Sequence, residues 1–131
     1  MKFLLDSSTC VAHLRGRSPR VTSGIRSNRE QIAISSIVVL ELRAGAYRAP
    51  NPEQEMRHVE VLVAGFPSLP FGDDAEAARL KCHLAASGTP IGPYDLLIAA
   101  TALVHRLTIV TSNVREFARV PGLTVVDWNA A

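Results

Sequence analysis

Short apolar runs alternate with helix-length segments along the whole chain, and this alternation limits the fold more than any other feature. "KFLL", "QIAIS", "SLPF", "LTIVTS" and "LTVVDW" each read as a strand. A short helix near Thr9 to Leu14 follows the first. "SIVVLELRAGAYRA" reads as a helix capped by Ser35 or Ser36, and "NPEQEMRHVEVLVAGF" as another after the Pro50–Pro52 turn. "DDAEAARLKCHLAAS" runs from a cap at Asp73 to a stop at Gly88, and Gly92-Pro93 opens "YDLLIAATALVHR". Strands separated by helices predict an α/β fold with a mostly parallel sheet covered on both faces. No repeat, low-complexity tract or linker divides the chain, so residues 1–131 form one domain. Open α/β sheets bind ligands outside the carboxyl ends of their strands. Asp6 stands at one such end, and Thr111-Ser112-Asn113 at another.

Carboxylates occupy unexpected places in this pattern. Asp6 closes the apolar run of the first strand. On a helix through "SSIVVLELRAGAY", the neighbours of Glu41 three and four residues away are Val38, Ile37, Ala44 and Gly45. The glutamate therefore leaves from the face that should pack on the sheet. Asp95 precedes "LLIAATALV", which is apolar all round and reads as a buried helix. Each carboxylate alone has a structural reading: Asp6 and Asp95 as caps or partners of a helix dipole, Glu41 as an arginine's partner or a rim residue. Against these readings, Ser7 and Ser8 are available to cap the first helix, and Arg43 lies on a different face from Glu41. Buried charges are generally paired or bound to a metal. Oxygen ligands without cysteine or histidine suit Mg²⁺ or Mn²⁺ rather than zinc. Such ions activate water and neutralise charge on phosphate.

The basic residues add a second indication. Of 14, only Lys2 and Lys81 are lysines; arginine forks phosphates and stacks on bases better than lysine does. "RGRSPRVTSGIRSNR" carries five arginines and no acid. It reads either as a solvated loop beyond the first helix or as a grip on RNA phosphates through Arg15, Arg17 and Arg20. Arg115 and Arg119 are further phosphate candidates; Phe117 and Trp128 read as core. Cys10 and Cys82 have no metal-ligand spacing and read as reduced core residues of a cytoplasmic protein. His13, His58, His83 and His105 are scattered and read as surface or edge residues. Asp6 interrupts the apolar start too early for a signal peptide, and Leu96 to Val104 falls far short of the roughly 20 residues that span a bilayer. Neither GxxxxGK[ST] nor GxGxxG occurs, which argues against a nucleotide-binding enzyme.

Taken in order, "LLDSSTCVAHLRG", "ISSIVVLELRAGA", "GTPIGPYDLLIAATAL" and "IVTSNVREFARVPGLTVVDW" resemble the PIN-domain ribonucleases, in particular the VapC toxins of bacterial toxin–antitoxin pairs. The resemblance implies a three-layer α/β/α domain and a Mg²⁺-dependent endoribonuclease that hydrolyses RNA phosphodiester bonds at an acidic metal site. Carried over position by position, the site residues are Asp6, Glu41 and Asp95, with a fourth position at Asn113. Asp6 and Asp95 would hold the metal, and Glu41 would hold it or orient the water. Ser7, Thr111 and Ser112 would support them. The family often has Thr-Asn where this chain has Ser7-Ser8. An amide at Asn113 offers oxygen without charge, so one tightly bound Mg²⁺ is expected. A cognate antitoxin is implied too, placing an arginine or lysine against Asp6, Glu41 and Asp95, with "SIVVLELRAGAY" and "EMRHVEVLVAGF" forming much of its groove. The resemblance also suggests a homodimer and a structured RNA such as a tRNA stem-loop.

A competing function is a non-catalytic PIN-like module whose acidic pocket takes a partner's arginine; Mg²⁺-dependent activity separates the two. A receiver-like phosphoacceptor domain also places aspartates at strand ends. It normally carries a lysine after a late strand, and this chain has none beyond Lys81.

Overall fold

The computed structural model describes residues 1–130. Its centre is β1 (Phe3–Leu5), a strand of three residues that could not stand alone. It survives because it is hydrogen-bonded on both sides, to β2 (Ile32–Ser35) and to β4 (Thr108–Val110), in parallel. β3 (Ser68–Leu69) extends the sheet beyond β2, and β5 (Val125–Val126) beyond β4, giving the order β3-β2-β1-β4-β5. Every pairing is parallel. Successive residues Leu4 and Leu5, Ile32 to Ser35, and Ile109 and Val110 are all buried. Burial without alternation requires that both faces of the sheet be covered. Truncating one of these fully buried side chains to alanine costs about 2–5 kcal/mol by the usual cavity term.

The helices supply that cover. α1 (Ser7–Leu14) and α2 (Pro19–Ser27) join β1 to β2; α3 (Ser36–Tyr47) and α4 (Pro52–Ala64) join β2 to β3. α5 (Asp74–Ala86) and α6 (Pro93–His105) lead to β4, and the short α7 (Val114–Phe117) leads to β5. Ser35 caps α3, accepting from the Val38 N–H at 3.1 Å, while Ser36 instead accepts from the Phe71 N–H at 3.0 Å. Asp73 stands at the start of α5 without capping it through its side chain. Gly88, at φ 69°, ends α5 as its left-handed conformation demands. α3 packs on α1, α4 and α6, which brings helices distant in sequence to the same end of the sheet. Among the described residues no helix is long and apolar enough to cross a membrane.

Two expectations need correction. The arginine-rich stretch is not a loop: its middle is α2, capped by Ser18, whose hydroxyl accepts from the Val21 N–H at 3.1 Å. Val21 and Ile25, four residues apart, are buried, and the arginines occupy the outer faces. The second correction is Cys82, which is exposed on α5, while Cys10 is buried as expected. Burial, with the nearby Asp6 charge adding to it, pushes the Cys10 thiol far above its ordinary range and leaves it inert.

Trp128 fastens the segment after β5. Its indole meets the Phe3 ring edge-on with centroids 5.0 Å apart, and its face lies on Gly24 of α2. A methyl group at Gly24 would stand 2.8 Å from the indole, so only glycine allows this approach. Phe117 is wholly buried in the core.

Candidate active site

The sheet changes direction between β1 and β4: from β1 the chain builds outward to β2 and β3, then returns to place β4 and β5 on the other side. Such a switch point opens a crevice at the strand carboxyl ends. Leu5 and Val110 are register partners, so the next residues, Asp6 and Thr111, face each other at its mouth. The Asp6 N–H donates to the Val110 carbonyl at 2.9 Å, and the Thr9 hydroxyl donates to the same carbonyl at 2.9 Å. These bonds fix the first turn of α1 against the end of β4.

Asp6 occupies the cap position of α1 but makes no capping bond. Its Oδ2 accepts from the Thr111 hydroxyl at 2.7 Å and the Ser8 hydroxyl at 3.1 Å. The Ser8 oxygen also accepts from the Ser112 N–H at 3.1 Å, and the Thr111 oxygen from the Asn113 N–H at 2.9 Å. Thr111 and Ser8 thus bond Asp6 directly, and Ser112 reaches it through Ser8. Asp6 is 3 % exposed, and its Oδ1 is buried without a hydrogen-bond partner.

Glu41 reaches the same mouth from α3, and its Oε1 is likewise buried and unpartnered. Burial, then the Asp6 charge, raise its pKa above the ordinary carboxylate value, with a hydrogen bond from Ser7 opposing them. Arg43 does not neutralise it: that guanidinium forks Glu60 on α4 at 2.8 and 3.0 Å. Asp95 enters from the first turn of α6. Burial, then the charges of Asp6, Glu116 and Glu41, push its pKa up to about 7.

The fourth carboxylate is Glu116, on α7, which the sequence reading passed over in favour of Asn113. Glu116 Oε1 accepts from the Gly92 N–H at 2.6 Å, and Oε2 accepts from the Asn113 side-chain amide at 2.7 Å. Those two bonds hold Glu116 below the ordinary carboxylate range, while a hydrogen bond to Asp95 couples it to that group. Asn113 itself is exposed and positions Glu116. The signal that could have found Glu116 is its place one helical turn after Asn113, in the same "SNVREF" motif.

Among the described residues no salt bridge reaches Asp6, Glu41, Asp95 or Glu116. Two orphaned buried oxygens and mutually repelling carboxylates call for a cation, and an all-oxygen donor set fits Mg²⁺ or Mn²⁺. The side chains do not close on a single point, for no group of three potential ligands is already gathered among the described residues. An open cluster suits an ion that keeps several of its waters.

The arginines are dispersed. Arg15 lines a groove of about 830 Å³ between α1, α3 and α4, beside Glu41. Arg17 lines a second groove, beside Ser8 and Ser112. Arg20 lies around the side of α2, near Trp128, away from the carboxylates. Arg115 is exposed on α7, and Arg119 is tied to the Pro90 carbonyl at 2.9 Å.

The sequence and the fold both have known relatives. The family model described as PIN domain matches residues 3–123. The tRNA(fMet)-specific endonuclease VapC of Salmonella typhimurium is 35% identical over 130 residues, which cover 98% of each chain. A crystal structure of DNA-bound VapBC from Salmonella typhimurium superposes with a TM-score of 0.93 at 34% identity, covering 98% of each chain. VapBC2 from Rickettsia felis, bound to a DNA fragment from its promoter, gives 0.91 at 29% identity, over 98% of this chain and 99% of that one.

Proposed function

Because the chain belongs to the PIN-domain family, in its VapC ribonuclease branch, we propose that it is a Mg²⁺-dependent endoribonuclease acting as the toxin of a toxin–antitoxin pair in the cytoplasm. The observation that carries this reading is the pair of buried, unpartnered oxygens, Asp6 Oδ1 and Glu41 Oε1, within a carboxylate cluster that no arginine or lysine among the described residues neutralises.

Asp6 and Asp95 would hold the ion, and Glu41 would hold it or orient the attacking water. Glu116 would complete the acidic set in place of Asn113, which keeps Glu116 turned inward. When bound, Mg²⁺ supplies charge against the phosphate and makes water a stronger acid. Thr111 and Ser8 lock the rotamer of Asp6, so its free oxygen needs no reorganisation on loading. Ser7 steadies Glu41. The Asp95–Glu116 pair would hold a cation in its fully ionised form, with the proton on Asp95 released. A metal-free route through the 2′-hydroxyl would need a histidine pair, and His13 is engaged with Thr22 at 2.9 Å. The products are therefore 5′-phosphate and 3′-hydroxyl ends.

The groove beside Glu41, walled by α3 and α4, suits the antitoxin segment. An arginine or lysine from that segment would neutralise Asp6, Glu41 and Asp95. VapBC relatives of known structure are such pairs by name. A homodimer is part of the same proposal, and sedimentation as a monomer at micromolar concentration would remove it.

The test is incubation of purified protein with total cellular RNA, in Mg²⁺ or in EDTA, with sequencing and end-group analysis of the new termini. Cleavage in Mg²⁺ alone, lost in Asp6→Asn, is expected. Equal RNA profiles in both conditions would leave the module that binds a partner's arginine.

A further inference from the structure

Beyond the carboxylates, α1 separates two grooves, and Ser7 lines both. The one beside Glu41 suits the inhibitor. The other, of about 500 Å³, runs from Ser8 and Ser112 to Asp127 and Asn129, and apart from Ser7 and Ser8 its lining has no part in the function proposed above. We propose that this second groove seats the substrate nucleotide next to the cleaved bond, with Arg17 on its phosphate and Asp127 selecting its base or ribose. This rests on the ribonuclease reading and adds the substrate contacts to it.

Continuity is the first reason. Ser8 and Ser112 line the groove, and Ser8 also bonds Asp6, so whatever lies there abuts the reacting centre. The groove's amphipathic make-up is the second. Val11 and Val21 contribute an apolar floor, while hydroxyls, Arg17 and Asp127 form a polar rim. A nucleotide has the matching character: an apolar base face, and a polar ribose and phosphate. The volume lies within the roughly 300–1,000 Å³ usual for small-ligand sites.

Charge is the third reason. Arg17 is exposed and has no ion-pair partner among the described residues, so its guanidinium is available to a phosphate. Asp127 repels a phosphate and only accepts hydrogen bonds, so it calls for the N–H or O–H donors of a base or ribose.

The rim is also rigid. Ser18, 4 % exposed, donates to Asn129 Oδ1 at 2.5 Å while accepting from the Val21 N–H. Asp127 Oδ1 accepts from the Asn129 N–H at 2.8 Å. The indole of Trp128 on Gly24 pins the segment between them. A selecting group must be held in place by its supports, and Asp127 is.

The experiment compares wild type, Arg17→Ala, Arg17→Lys and Asp127→Asn. One readout is cleavage in Mg²⁺ of RNAs differing only in the nucleotides flanking the cut; the other is RNA binding in EDTA across a salt series. Arg17→Ala should lower kcat/KM about tenfold for every sequence, as loss of a charged hydrogen bond implies. It should also reduce the salt slope of binding by roughly 0.7. Arg17→Lys should restore the slope. Asp127→Asn retains an acceptor for Asn129 and should shift the preference at one flanking position about tenfold, with an unchanged melting temperature. Unchanged preference and slope in an actively cleaving protein would overturn the groove and leave the nuclease. Absence of cleavage by wild type, with RNA binding that still depends on Arg17, would instead overturn the nuclease and leave the groove. Wild type that neither cleaves nor binds RNA would overturn both.

Discussion

Asp95 and Glu116 are joined by a hydrogen bond that helps raise Asp95 to about 7 and lower Glu116 below the ordinary carboxylate value. Two carboxyls in one crevice cannot both ionise freely, so the pair titrates as a unit. The Gly92 N–H and the Asn113 amide decide which member carries the charge, because both donate to Glu116.

The pair makes metal-free stability fall as pH rises. Asp95 ionises near 3.8 when unfolded and near 7 when folded, so the folded chain binds more protons between those values. Glu41 is raised too and acts in the same direction. Glu116 acts oppositely, but its contribution is lost only below the ordinary carboxylate range. In EDTA the melting temperature should therefore drop from pH 5 to pH 8, and Asp95→Asn should flatten the profile. A wild-type profile flat across that interval would show that Asp95 is not raised.

Asp6→Asn separates ligand from cap. An amide oxygen can still accept from Thr111 and Ser8, while the repulsion with Glu41 and Asp95 disappears. In EDTA at neutral pH the variant should melt at or above wild type, with cleavage severely reduced. Mg²⁺ at one hundred times its Kd should add about 2.7 kcal/mol to wild type and little to the variant. A less stable variant with the full Mg²⁺ response would return Asp6 to a structural role.

Substitutions at Glu116 divide its two duties. Glu116→Gln keeps an acceptor for the Gly92 N–H and removes the charge. It should lower the Asp95 pKa and impair cleavage while leaving stability at neutral pH equal or higher. Glu116→Ala leaves that N–H without its partner and should cost about 1–3 kcal/mol. Denaturant melts of both variants, with Asp95 titrated by NMR, test the pair.

Gly24→Ala should destabilise by about 1–3 kcal/mol, because its methyl collides with the Trp128 ring. Trp128→Leu should relieve part of that cost, so the double variant should be more stable than the sum of the single effects predicts. Additivity would show that the indole is not seated on this helix.

Much of this was legible in the sequence because burial leaves a pattern. The fully buried strands read as apolar runs, and Gly88, Pro93 and Ser35 stood where helices stop or start. Glu41 and Asp95 stood out for a related reason: a carboxylate amid apolar neighbours contradicts its surroundings. α2 hid because only Val21 and Ile25 face the core, and arginines surround them. Glu116 hid because its importance is tertiary. Its partner Gly92 lies 24 residues upstream, and no local pattern records that meeting. Cys82 was misplaced because residue type alone suggested burial, while its helix turns it to solvent.

The order of the strands sets a schedule for synthesis. β1 is made before every other strand of the sheet, and its second neighbour, β4, follows it only after about a hundred further residues. Asp6 must wait for Thr111 to fix its rotamer, and Asp95 for Glu116 to complete the cluster. Domains assemble from the amino terminus during translation, so most of this domain is made before the carboxylate cluster can form. The assembled site appears only once α7 has been made, and an inhibitor needs to be at hand only then.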